Sequence, residues 1–143
     1  MDLIDLESPQ NYQEQLQIFR VLKEQRDMFQ NQLEILNVSR GNIMNTKTTI
    51  ANLKEGVKEN DEILVPVGGL ANIKALIKDP KKVLLSVTQD VIIEKDIDGA
   101  IEILDKRIDQ HDREIQFVQT QLQNIDVNLQ KTSQLLQRGY LQK

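Results

Sequence analysis

"EILVPVGGLANIKALIKDPKKVLLSVTQDVIIEKD", residues 62–96, decides how this chain is read. Apolar and polar residues alternate through much of it, and the alternation is broken at Gly68-Gly69, Asp79-Pro80 and Thr88-Gln89-Asp90. Successive strand residues point to opposite faces, so alternation between turn formers predicts short strands. Ile63, Val65 and Val67 share one face of the first strand, and Ile73, Ala75 and Ile77 share one face of the second. Val83, Leu85 and Val87 alternate in the third, and Val91 and Ile93 belong to the fourth. Opposite the apolar face of the second strand lie Asn72, Lys74 and Lys78, with Leu76 the exception. Four strands in this order form two successive hairpins. Pro66 has no N–H for a ladder and fits only an edge, a strand end or a bulge.

On both sides of this block the apolar period changes to seven. Ser8-Pro9 is a helix start, since Ser caps free N–H groups and Pro at the first helical position gives up no hydrogen bond. Leu22, Phe29, Leu36, Ile43, Ile50 and Val57 then form an apolar column. Its companion, Ile18, Gln25, Gln32, Ser39, Thr46 and Leu53, is polar in the middle. Asp96 is a good N-cap for a second helix, whose two columns are fuller. One is Ile101, Ile108, Ile115, Leu122, Leu129 and Leu136; the other is Ile97, Leu104, His111, Val118, Ile125 and Thr132. Heptads sustained over this many turns indicate a coiled coil. Two helices of similar length joined by a compact connector pack as an antiparallel hairpin. The expected register sets Val57 against Ile97, Phe29 against Ile125 and Ile18 against Leu136. His111, the single histidine, reads as a polar residue tolerated in a coiled-coil layer, because it has no companion ligands in the sequence.

The fold class is therefore α+β: a long antiparallel two-helix coiled coil with two β-hairpins between the helices. The chain reads as a single domain over residues 1–143, with helix 1 at 8–57, the hairpins at 62–95 and helix 2 at 96–141. The hairpins are too small to bury their own β-branched residues, and long apolar edges invite pairing. With both helices using their seams on each other, the hairpins are expected to join those of other chains into a shared sheet or intersubunit β-barrel. Ile63, Val65, Val67, Ile73, Ala75, Ile77, Val83, Leu85, Val87, Val91 and Ile93 are the candidate subunit-interface residues. Lys78, Lys81 and Lys82 read as a charged turn that keeps the hairpin soluble, in preference to a phosphate site.

Composition narrows the function. The 143-residue chain carries a formal charge of −4, no Cys, no Trp and only five aromatics, two Tyr and three Phe. Net negative charge supplies no basic stripe for nucleic acid. No apolar run approaches the roughly 20 residues a membrane-spanning helix needs. The acidic N-terminus "MDLIDLESPQ" lacks the basic region of a signal peptide, so a cytoplasmic protein is the expectation. There is no nucleotide fingerprint and no catalytic constellation, which argues against an enzyme, and no cofactor or metal is implied. Four of the five aromatics, Tyr12, Phe19, Phe29 and Tyr140, fall toward the chain ends. Tyr12, Leu16 and Phe19 follow helical spacing outside the seam, and Leu136, Tyr140 and Leu141 gather at the other terminus. An exposed apolar patch of this kind marks an interaction site, and these six are its candidate residues.

The order long helix, two hairpins, long helix resembles the alpha-class prefoldin subunits of archaeal type. The likeness is carried by "ILVPVGG" (63–69), "KVLLSV" (82–87) and "VIIEKDIDGAIEILDKRI" (91–108); for the flanking helices it is architectural. The resemblance implies an ATP-independent molecular chaperone. It implies partners too: two alpha-class and four beta-class subunits joined through their hairpins, with six coiled coils that hold non-native polypeptide and pass it to a group II chaperonin. It further implies that client contacts lie at the distal ends of the coils, which by position makes Tyr12, Leu16, Phe19, Leu136, Tyr140 and Leu141 the candidate client-binding residues. One departure is "GLANIKA" (69–75), where many alpha subunits continue with small residues and an aromatic. Gamma-type prefoldin, which builds homopolymeric filaments through its hairpins, is the alternative.

Overall fold

A computed structural model describes the backbone of residues 9–141 and the side chains of 11–139. Its elements are α1 (Pro9–Gly56), β1 (Glu62–Pro66), β2 (Asn72–Leu76), β3 (Lys82–Ser86), β4 (Ile92–Asp96) and α2 (Ile97–Leu141). Ser8, the expected cap of α1, lies outside the described residues. The cap of α2 is as the sequence suggests: the Asp96 carboxylate accepts a 2.7 Å hydrogen bond from the Gly99 N–H, satisfying one of the free donors of the first turn.

The chain divides into two compact units, one formed by residues up to Ser39 with those from His111 onward, the other by Arg40–Gln110. In the first, α1 and α2 pack through Leu36, Val118, Ile125 and Leu129, all buried, with Val118 only 1% exposed. Thr132 is buried in the same seam, and its hydroxyl donates to the Asn128 carbonyl one turn earlier. Ser39 Oγ and His111 Nε2 meet across the helices at 2.8 Å, in a bond whose donor depends on the imidazole tautomer. A paired polar layer leaves neither group to be buried unsatisfied and fixes which turns face one another. The expected register would have put Ile115 opposite Ser39; the cross-helix side-chain pairs are offset from that register, by four residues at Ser39–His111 and by two at Lys47–Asp105 and Lys54–Asp98.

In the second unit the core is Ile50, Leu85, Ile97, Ala100 and Leu104, with Ile43, Val83, Ile93, Ile101 and Ile103 packed against it. Ala100 is fully buried, and its small side chain lets neighbouring apolar groups approach the α2 backbone closely. Ion pairs between Lys47 and Asp105 at 2.6 Å and between Lys54 and Asp98 at 2.7 Å run across the helices in antiparallel sense. The core corrects one expectation. The helices do have apolar surface left for a hairpin: Val83, Leu85 and Ile93 use it, and Leu85 is only 8% exposed. Arg107 adds a tether, its Nη2 donating to the Val87 carbonyl at 2.8 Å. Burial of a Leu side chain contributes about 2 kcal/mol, so this docking holds the second hairpin to its own chain.

β1 pairs with β2 and β3 with β4, both antiparallel, as two separate two-stranded sheets. Each hairpin is closed by a five-residue loop and not by a tight two-residue turn. The N–H of Val67 donates to the Ala71 carbonyl, and the N–H of Val87 to the Val91 carbonyl. Gly68 takes a φ of +87° in the first loop, a conformation open to glycine at no steric cost. Val67, Val87 and Val91 thus belong to loops, and Ile77 lies just past β2, its N–H bonded to the Asp61 carbonyl.

Candidate assembly and client-binding surfaces

The register of the hairpins sorts their residues into two faces. Because Val67 bonds Ala71 and Ile77 bonds Asp61, the odd-numbered strand residues exchange hydrogen bonds inside the hairpin. The backbone groups of the even-numbered ones point to the free edges. The odd face of the first hairpin is Ile63, Val65, Ile73 and Ala75, all apolar and half-buried except Ile73, which is 51% exposed. The matching face of the second hairpin, Val83, Leu85 and Ile93, covers the core described above.

The even faces carry what sequence reasoning missed. Leu64, Leu76, Leu84 and Ile92 are between 63% and 69% exposed, and Leu70 at the loop tip is fully exposed. None of them was among the expected interface residues, which were chosen by following the β-branched face alone. The signal was present in the sequence: Leu64, Leu84 and Ile92 break the apolar–polar alternation, as strands covered on both faces do. Leu76 was visible as an exception. Contiguous apolar surface on two small sheets, beside unpaired strand edges, is the chemistry of a subunit interface. The expected residues Val67, Ile73, Val87 and Val91 are exposed as well.

Between the end of α1 and the second hairpin lies an open concavity of about 770 Å³, lined by Val57, Lys58, Glu59, Lys78, Asp79, Pro80, Lys81 and Glu94. Its three lysines are balanced by three acids, and the Asp79 carboxylate accepts the Lys81 N–H within the turn. That arrangement fits a solvated turn. Among the described residues no group of three His, Cys, Asp or Glu is placed to hold a metal ion, and no helix is long and apolar enough to cross a membrane.

At the start of α1, Tyr12, Leu16 and Phe19 are all half-buried, and Lys23 Nζ lies 5.4 Å from the centroid of the Phe19 ring. Ile18 and Val21 beside them are more open. Near the end of α2, Leu136 is half-buried; the side chains of Tyr140 and Leu141 lie outside the described residues. Farther along α1, Met28, Ile35 and Val38 extend the exposed apolar surface.

Comparison with known proteins settles the family. The prefoldin subunit family model matches residues 22–142. The chain belongs to the prefoldin family. It is 32% identical to the prefoldin subunit alpha of Pyrococcus horikoshii, over 76% of this chain and 73% of that relative. It is also 32% identical to the prefoldin subunit alpha of Methanoregula boonei, over 93% of this chain and 86% of that one. These relatives identify it as an archaeal-type alpha subunit. Among solved structures, a filamentous PFD from Methanocaldococcus jannaschii superposes with a TM-score of 0.70 at 18% identity, covering 79% of this chain and 93% of that one; this likeness speaks to the fold. The two long helices with small antiparallel hairpins between them are thus a prefoldin fold, and membership brings with it a chaperone role.

Proposed function

We propose that this chain is an ATP-independent chaperone subunit that assembles through its hairpins and captures non-native polypeptide with apolar side chains toward the ends of its helices. The observation that carries the reading is the half-exposed set Tyr12, Leu16 and Phe19, continuous with exposed Ile18 and Val21. Being only half-buried, these residues keep part of their apolar surface in reach of a client. Leu136, half-buried near the end of α2, is proposed to extend the set, together with Tyr140 and Leu141, whose side chains lie outside the described residues. Each such contact is weak, and useful affinity comes from several subunits acting on one client.

Assembly is proposed to be with beta-class subunits, as an alpha2-beta4 hexamer, and captured clients are proposed to pass to a group II chaperonin. The reading requires no cofactor and no catalytic residue. The test has two readouts. Changing Tyr12, Phe19 and Tyr140 together to Ser should abolish suppression of client aggregation, while native mass spectra of the assembly stay as in the wild type. Suppression that survives the triple change would remove the tip model. In the same spectra, the chain alone and then mixed with a beta-class subunit distinguishes a hexamer from the open ladder of masses that a filament former would give.

A further inference from the structure

One flank of α1 carries a second stripe of seam-like spacing that the seam does not use. Up to Leu36, the side of the helix packed into the seam is Phe19, Leu22, Phe29, Leu33 and Leu36, each buried or half-buried. Ile18, Val21, Gln25, Met28, Gln32 and Ile35 also recur at intervals of three and four residues, none of them is charged, and every one is exposed. Their place on the helix follows from the residues beside them. Val21, Met28 and Ile35 are each followed by a seam residue, Leu22, Phe29 and Leu36, and each preceded by a charged one, Arg20, Asp27 and Glu34. One residue turns the helix by about 100°, so the stripe runs between the seam and a charged rim. With Glu24 included, that rim holds three exposed acids and one exposed base.

Period and charge define what fits this stripe. Val21, Met28 and Ile35 recur about every 10.5 Å along the helix axis. An extended chain repeats its same-face side chains about every 6.7 Å, so it falls out of step with them. A second helix with apolar residues at heptad positions repeats at the matching interval and packs alongside at a shallow angle. Glu24, Asp27 and Glu34 favour cations on the flank of that helix that faces the rim. Resting on the reading of this chain as a chaperone subunit that captures apolar segments, we infer that the stripe takes one class of client segment, a basic amphipathic helix of about five turns laid along α1 from Ile18 to Ile35. A helix separated from the rest of its fold has such an apolar face and nothing to bury it against. The stripe thus selects a client by helical period and by sign of charge, which an apolar patch at a helix end does not.

The experiment measures binding of fluorescent peptides to the full-length chain by anisotropy, alone and after assembly with a beta-class subunit. The first peptide is an amphipathic helix of about 18 residues with Leu at heptad positions and Lys on its flanks. The second carries Glu in place of Lys. The third keeps the apolar and charged residues of the first but gains two central prolines that forbid a helix. The first should bind about tenfold more tightly than either of the others. Met28 and Ile35 are 57% and 69% exposed, so changing both to Ser should leave the circular dichroism as in the wild type while weakening the first peptide about tenfold. Glu24→Lys, Asp27→Lys and Glu34→Lys together should invert the preference between the first and second peptides. Failure of the first peptide to bind, or affinity unmoved by the Met28 and Ile35 changes, would overturn the inference. A charge reversal that leaves the preference as it was would do the same. Equal binding of the third peptide would assign the stripe to extended chain, and an oligomer that loses mass with the Met28 and Ile35 changes would assign it to a second copy; either result overturns the client helix. In each of these cases the tip reading stands if changing Tyr12, Phe19 and Tyr140 still abolishes suppression of aggregation. Suppression that survives that change as well would remove the tip reading independently.

Discussion

Asp96 ends a strand and begins a helix, and its carboxylate holds the first turn of α2 through the Gly99 N–H. Replacing it by Ala should cost about 1 kcal/mol of stability, read from urea unfolding. A Cβ at Gly99 would meet Asp96 Oδ1 at 2.6 Å, so Gly99→Ala sets a gain in helix propensity against a displaced cap. The two effects are of similar size, and the net change should stay within about 1 kcal/mol. Lys54 is perturbed by a neighbour that the sequence does not identify. Its hydrogen bond to the Asp98 carboxylate, then the attraction of that charge, holds its ammonium above the ordinary lysine range. A raised pKa in the folded state means the pair's contribution is full below the unfolded lysine value and is lost as pH rises through the folded one. Both side chains are exposed, so the effect is small. The stability difference between wild type and Lys54→Met should stay constant through neutral pH and vanish only under strongly alkaline conditions. The cap was legible because Asp before an apolar helical run has local meaning. The Lys54 partner was not, because it depends on inter-helix register.

Seam columns are the part of the elements that the sequence displays most plainly. All twelve expected seam positions of α2 are buried or half-buried, and Gln25, Gln32 and Thr46 of the polar α1 column are exposed. A period of seven is a statement about one helix and survives any choice of partner. Register is a statement about two, and there the cross-helix side-chain pairs fall two to four residues from the expectation. The hairpins were legible as elements for the same local reason, whereas the destination of each face was not. Val83, Leu85 and Ile93 look in sequence like Ile63, Val65 and Ile73; only tertiary packing shows that the former are covered within the chain. Leu85→Ala should therefore cost about 2–4 kcal/mol in the isolated chain. Leu84→Ser, one residue away on the open face, should leave its stability within about 0.5 kcal/mol. Equal costs for the two, measured by urea unfolding, would contradict the division of faces.

At the scale of the whole molecule, the alpha-subunit resemblance was carried by the middle of the chain, and the family match extends it to residues 22–142. The proposed client-binding residues rest on position alone, because apolar groups at a helix end have no spacing of their own to recognise. The antiparallel course of the helices has a kinetic consequence. Lys54 and Asp98 are separated by 44 residues of chain, Ser39 and His111 by 72. Once the nearer contact has formed, the farther one closes only the remaining segments on either side, and the entropy of loop closure falls accordingly. Folding should thus begin beside the hairpins and zip along the helices. Leu104→Ala should slow folding, while Leu129→Ala should leave the folding rate nearly unchanged and speed unfolding. Stopped-flow refolding would separate the two. The order also suits synthesis on the ribosome: α1 has no seam partner until α2 emerges, so for most of translation its apolar column is itself a nascent chain in need of shelter.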